Sequence, residues 1–211
     1  MLLKHFFCVL NFAINFSIFA EKYFMRIISG KNKGRTINPP KNFKARPTTD
    51  FAKEAIMTVL ENNYEFTSCS ALDLFSGTGS ISYEFASRYC NDITAVENLK
   101  LHADFIRKTA TELDYNIHVV NYDAFKFLKN MSRSYDIIFA DPPYDNPSIA
   151  TIPDLVFENN MLSKIGWLVI EHSADIDFSK HPNFFRHRNY GRVNFSFFEN
   201  KTETIESTIT E

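Results

Sequence analysis

From Ser70 onward the chain alternates short apolar runs with helix-like segments, and this alternation restricts its fold more than any other feature. The runs are Ala71 to Phe75, Ile93 to Val96, Ile117 to Val120, Tyr135 to Ala140 and Ile165 to Ile170; helices are predicted near 80–89, 98–114, 123–130 and 149–159. Continuous apolar strands between helices predict a mostly parallel sheet covered on both faces. The end of the chain breaks the rhythm. Phe184 to Asn189, a turn at Tyr190-Gly191 and an alternating run from Arg192 to Glu199 predict an antiparallel hairpin, followed by a polar tail over 200–211.

Upstream of the α/β pattern, Arg26 to Ser29 and Arg35 to Asn38 flank the turn Gly30-Lys-Asn-Lys-Gly34, which predicts a small β-hairpin closed by Pro39-Pro40. A Lys-rich link leads to Arg46-Pro-Thr-Thr-Asp50, where Thr49 or Asp50 can cap a helix running to about Asn62. The chain is therefore divided into a basic hairpin and linker over 25–48 and an α/β domain over 49–199. At 211 residues, 45% hydrophobic and 23% charged, it has an ordinary globular composition, which excludes disorder, collagen and solenoid.

The net charge of −2 conceals an asymmetry. Between Arg26 and Lys53 eight Lys or Arg face one acid, Asp50, so a basic arm precedes an acidic body. Such an arm suits a polyanion or is a solvated hairpin. Three cysteines, Cys8, Cys69 and Cys90, show neither CxxC spacing nor a His cluster, so disulfides and zinc are not expected and the chain reads as a reduced cytoplasmic protein. The first 24 residues superficially match a secretory signal, yet Asn11, Asn15 and Ser17 make the stretch a poor membrane span. Their bias toward Phe, Ile, Asn and Lys matches AT-rich noncoding sequence, and residues 1–24 are read as a mis-assigned start or leader before Met25.

Ligands of open α/β sheets bind beyond the carboxyl ends of the strands. Asp73, Glu97, Asp123 and Asp141 stand there, lining one rim. The turn Gly77-Thr78-Gly79 opens a helix and lets a ligand approach the backbone near its positive end. A dinucleotide fingerprint would need a third glycine at Ser82, which weakens a nicotinamide reading. Glu97 stands where a carboxylate can take both hydroxyls of a ribose, or it is a solvated strand-end acid. Asp141-Pro142-Pro143-Tyr144 carries the strongest signal. Two prolines stiffen the loop; Asp141 and the Pro142 carbonyl can accept both hydrogens of an NH2 group while Tyr144 stacks on the ring that bears it. His172 is read as structural.

Asp73-Leu-Phe-Ser-Gly-Thr-Gly79, Glu97, Asp123 and Asp141-Pro-Pro-Tyr144 resemble the ordered motifs of S-adenosylmethionine-dependent methyltransferases that act on planar NH2 groups. More narrowly, Met25-Arg-Ile-Ile-Ser-Gly30, Gly34-Arg35, Arg46-Pro-Thr-Thr-Asp50, Glu54, Glu171-His-Ser173 and Tyr190-Gly191 resemble the RsmD family, which methylates guanine N2 in bacterial small-subunit (16S) ribosomal RNA. The resemblance implies a class I, Rossmann-like methyltransferase with a seven-stranded sheet. It implies S-adenosylmethionine over the glycine turn beside Asp73, Phe75, Gly77, Thr78 and Gly79, its ribose at Glu97 and its adenine near Asp123 and Ala124. Arg46, Thr48 and Thr49 would close over the methionine end. Arg26, Lys31, Lys33 and Arg35 are the candidate RNA contacts. No metal or membrane role is expected, and the chain is read as a monomer. Adenine-N6 methylation, glutamine methylation of a release factor and a non-catalytic RNA-binding assembly factor are the alternatives.

Overall fold

The computed structural model describes residues 24–40, 43 and 49–201. The reading of residues 1–24 as a leader lies, but for Phe24, outside the described residues, and so do those of Arg46 and Thr48 as donor contacts. Two two-residue strands, β1 (Met25–Arg26) and β2 (Thr36–Ile37), form the N-terminal hairpin, with Met25 opposite Ile37. The paired strands are shorter than predicted: Ile27 still bonds to Arg35 and Gly34 across the hairpin while its side chain is buried, but the Ile28 N–H leaves the hairpin for Glu84 Oε1.

Helix α1 (Asp50–Glu61) follows, capped by the Thr49 hydroxyl, which accepts the Ala52 N–H at 3.2 Å. The alternating pattern then resolves into β3 (Ser70–Leu74), α2 (Ser80–Ser87), β4 (Asp92–Glu97), α3 (Lys100–Glu112), β5 (Ile117–Asn121), α4 (Ala124–Asn130), β6 (Tyr135–Ala140), α5 (Ile152–Glu158), β7 (Leu162–His172), β8 (Phe184–Tyr190) and β9 (Val193–Glu199). β7 extends beyond the predicted run at both ends. The sheet order is β5-β4-β3-β6-β7-β9-β8, with β9 antiparallel to both of its neighbours. The predicted C-terminal hairpin is present; what the pattern did not indicate is that β9 inserts between β7 and β8.

Side chains alternate between two cores, as strand geometry requires. On β6, Ile137 and Phe139 join the layer under α1, α2 and α3, while Ile138 and Ala140 join the layer under α4 and α5. Phe195 and Phe197 on β9 face the first layer and Phe198 the second, and all three are fully buried. Each removes about 2 kcal/mol of apolar exposure from water. The outer strand β8 carries Arg186 and Arg188, charges that discourage edge-to-edge pairing.

The N-terminal hairpin is bonded to this body. Gly30 adopts φ +81°, and a Cβ there would sit 1.9 Å from the Ser87 carbonyl oxygen, so only glycine fits. Ser87 O accepts the Lys31 N–H at 2.7 Å, and Ser87 Oγ donates to Ser29 O at 2.6 Å. Beneath the hairpin lies Glu84, fully buried, whose Oε1 accepts the Ile28 N–H at 2.8 Å and pairs with Lys53 Nζ at 3.2 Å. Its Oε2 pairs with Arg88, which also meets Glu61 at 2.8 Å. Lys53, counted in the basic arm when read from the sequence, is 2% exposed and donates to Arg26 O at 2.6 Å. Its charge serves the core, because a buried carboxylate needs paired cations.

No helix among the described residues is long and apolar enough to cross a membrane. Replacing Glu84 by Ala strands Lys53 and Arg88 in the core. Breaking a buried pair costs about 3–5 kcal/mol, so thermal unfolding followed by circular dichroism should show a fall in Tm on the order of 10 °C.

Candidate active site

Chain order reverses at the centre of the sheet: β3 leads to β4 and β5 on one side, and β6 and β7 lie on the other. A crevice opens at such a switch point, and here it is bounded by the carboxyl ends of β3 and β6, where Leu74 lies opposite Ala140. The cavity there has a volume of about 620 Å³, within the range of small-molecule sites.

β3 enters the crevice through a strained turn. Phe75 is left-handed at φ 61°, unusual for a residue with a side chain, and its ring packs edge-on against Phe125 at 5.5 Å. Ser76 Oγ donates to Asp73 O at 2.7 Å and Ser76 N–H to Val96 O at 3.0 Å, tying the turn to β4. Gly79, at φ +84°, is the N-cap of α2; a Cβ would lie 2.7 Å from the Tyr83 ring. Thr78 Oγ1 donates to Met25 Sδ, so the first hairpin strand touches this turn.

The four rim acids all line the cavity. Three of them also hold backbone in place. Asp73 Oδ2 accepts the Ser82 N–H at 3.0 Å and the Ser82 hydroxyl at 2.5 Å, so the position where a dinucleotide site has its third glycine carries a buried donor instead. Glu97 Oε2 accepts the Gly77 N–H at 2.9 Å and Oε1 the Leu99 N–H at 2.8 Å, joining the glycine turn to the start of α3. Asp123 is the N-cap of α4, accepting the Lys126 N–H at 2.9 Å beside the buried Ala124. Burial pushes the Asp73 carboxyl up to about 7, against the opposing pull of its Ser82 bonds.

Across the crevice, Asp141 follows β6 directly, its N–H directed to Leu74 O at 3.4 Å. Pro142 is buried and Pro143 exposed; the Pro143 carbonyl is used in a turn by the Asn146 N–H at 2.9 Å. The half-exposed Tyr144 donates its hydroxyl to Glu171 Oε1 at 2.9 Å, and Glu171, on β7, is 4% exposed. Glu171 was noted in the sequence without a role. Its contact with Tyr144 spans 27 residues and had no local signal.

Two further wall residues, His102 and Arg192, were not among the site residues read from the sequence. His102 approaches Glu97 with Nδ1 3.6 Å from Oε1 and stacks on Phe43 of the linker at 4.2 Å. Arg192, in the β8–β9 turn, lines the cavity as Tyr144 and Glu171 do. Thr49 lines the cavity while capping α1. His172 binds Ser196 Oγ and Ser173 O, both at 2.8 Å, and burial lowers its pKa, a structural role as read from the sequence.

Of the proposed RNA contacts, Arg26 pairs with Asp50 at 3.1 Å and Lys31 donates to Asp114 O at 3.1 Å over the Tyr115 ring. Lys33 and Arg35 are exposed at the hairpin tip. Among the described residues no group of three His, Cys, Asp or Glu is placed to hold a metal.

Residues 25–199 match the model of a family described as Conserved hypothetical protein 95, and the chain is 33% identical over 154 residues to the Ribosomal RNA small subunit methyltransferase D of Buchnera aphidicola subsp. Baizongia pistaciae, covering 72% of this chain and 78% of that one. The chain belongs to the RsmD family. The enzyme of the same name from Escherichia coli K12 is 28% identical over 183 residues, 85% of this chain and 91% of its own. A solved structure, "Putative methyltransferase yhhF from Escherichia coli", superposes with a TM-score of 0.74 at 26% identity over 85% of this chain and all of that one. The RsmD-family sheet described above is thus a class I methyltransferase fold.

The raised Asp73 pKa makes stability depend on pH. The native carboxyl keeps its proton up to about pH 7, whereas an unfolded aspartate releases it near 3.8. Between these values the native state binds more protons, so this contribution is complete below pH 4 and fades as the pH rises to 7. The slope is at most about 1.4 kcal/mol per pH unit. Urea midpoints measured from pH 4 to 8 should lose that slope in Asp73→Asn; an unchanged slope would exclude Asp73 as its source.

Proposed function

We propose that this RsmD-family protein transfers a methyl group from S-adenosylmethionine to the exocyclic N2 amine of a guanine in small-subunit ribosomal RNA. One observation carries the reading: a cavity at the sheet's switch point has a glycine turn and three acids on one wall and Asp141, Pro142 and Tyr144 on the other.

The first wall suits S-adenosylmethionine. Gly77 and Gly79 let a ligand approach the backbone, and the Asp73 carboxylate, once ionised, complements an ammonium group. Glu97 already accepts two backbone N–H groups. A carboxylate offers about four acceptor sites, so it can still take ribose hydroxyls. Phe75, Ala124 and Phe125 offer an apolar slot for an adenine next to Asp123. Bound there, S-adenosylmethionine supplies an electrophilic methyl carbon on a sulfonium centre that leaves as a neutral thioether.

Asp141 and the Pro142 carbonyl do the orienting. A guanine N2 amine is a poor nucleophile because its lone pair is conjugated with the ring. Two acceptors that hold its hydrogens turn that lone pair toward the first wall, while Tyr144 stacks on the base. N2 forms its bond to the methyl carbon as the methyl–sulfur bond breaks, and one N2 proton passes to Asp141 and on to solvent. Such catalysis rests on orientation and fixed electrostatics. The target base has to leave its stack to reach this depth.

RNA recognition then draws on both ends of the chain. Lys33 and Arg35 at the hairpin tip and Arg192 at the cavity wall suit phosphate contacts, which position the RNA without reading its sequence. The names of the relatives support a ribosomal RNA substrate and, with it, a cytoplasmic site of action.

Incubation of protein starting at Met25 with unmethylated small subunits and labelled S-adenosylmethionine should yield N2-methylguanosine on nucleoside mass spectrometry. N6-methyladenosine would overturn the target, and no label despite donor binding would overturn the RNA acceptor. Asp141→Ala should bind the donor normally by calorimetry and lose turnover on the order of 10²-fold or more.

A further inference from the structure

We infer that Glu171 selects guanine, by accepting the N1–H of the same base whose N2 amine Asp141 holds. The inference rests on the guanine-N2 reading above and adds the residue that enforces it.

Strands β6 and β7 run parallel, with Ala140 paired to Ile170. Continued one residue past the end of β6, this register sets Asp141 opposite Glu171, and both line the cavity. Adjacent strands lie about 4.8 Å apart. Guanine presents N1–H and the N2 amine side by side on its Watson–Crick edge, so two acceptors on adjacent strands match two donors on adjacent atoms.

Burial makes the match chemically demanding. Glu171 is 4% exposed, and a carboxylate at that depth is retained where donors meet it. The Tyr144 hydroxyl is one such donor, at 2.9 Å on Oε1. A carboxylate accepts at about four sites, so the contact with Tyr144 is compatible with a donor from the base. That contact also ties the ring on which the base stacks to the group that reads its edge.

The arrangement discriminates by repulsion as well as attraction. Adenine places the bare N1 lone pair beside its amine, and cytosine places N3 beside its own. Either would face the Glu171 carboxylate acceptor to acceptor. Among the four RNA bases, guanine alone offers an N–H next to an exocyclic amine. Sites built to hydrogen-bond a substrate N–H reject an analogue that lacks it far more strongly than an apolar pocket rejects a missing methylene.

The test couples Glu171 to the N1 position. Once the modified guanine is mapped, small subunits are reconstituted around rRNA carrying either guanosine or the isosteric 1-deazaguanosine, in which C–H replaces N1–H, at that position. Wild-type protein should prefer guanosine by about 30-fold or more in kcat/KM. Glu171→Ala should reduce that preference to within about threefold, and the isosteric Glu171→Gln, which guards against misfolding of the first variant, should lower it at least threefold. Both should bind S-adenosylmethionine as wild type does. A purely structural Glu171 would slow both substrates alike, so an unchanged preference in both variants overturns the inference while leaving the guanine-N2 reading intact. Failure of wild-type protein to form N2-methylguanosine overturns both.

Discussion

The architecture around the site depends on one buried carboxylate. Glu84 of α2 is fully removed from water, and it accepts a backbone N–H from the hairpin at Ile28 while pairing with Lys53 of α1 and with Arg88, the C-cap of α2. None of these charges is tolerable in the core alone. Together they lock three segments that are far apart in sequence. Lys53 carries the constraint onward, since its ammonium also donates to Arg26 O and to Ser80 Oγ at the first residue of α2. The helix that opens over the glycine turn is therefore held at its start by the group that holds the hairpin.

A second economy runs through the rim. Asp73, Glu97 and Asp123 each accept backbone N–H groups that would otherwise be orphaned at a helix start or a tight turn. The same three residues line the cavity. A carboxylate already held by such bonds is preorganised, so binding a ligand costs it little further rotamer entropy. Burial without full compensation leaves Asp73 with its raised pKa, and an incoming cation would favour its ionised form.

The basic arm illustrates the limit of charge counting. Its excess of cations was plain in the sequence, and so was the Gly-bounded turn. Their employment was not. Lys53 lies in the core, Arg26 pairs with Asp50, and Lys31 reaches a carbonyl more than eighty residues away. A charge sum sees no depth, and depth decides whether a lysine meets solvent or a buried glutamate. The opposite error occurred at the far end, where Arg192 sat within a segment counted as acidic and yet stands at the cavity wall.

Local order in the chain determined a great deal. Apolar runs of strand length spaced by amphipathic helices dictate a covered parallel sheet, because no other arrangement buries both faces of such strands. The crevice of such a sheet opens at the ends of its strands, which singled out Asp73, Glu97, Asp123 and Asp141 in the sequence, and the structure sets all four around one cavity. Only the tertiary structure decided which residues from different strands became neighbours. The order β6-β7 sets the end of β6 and Asp141 alongside the end of β7 and Glu171, the β8–β9 turn brings Arg192 to the cavity, and Glu84 recruits Lys53 into the core. These pairings arise from strand order and burial, both of which depend on how the whole chain packs and neither of which is written in the spacing of any one segment.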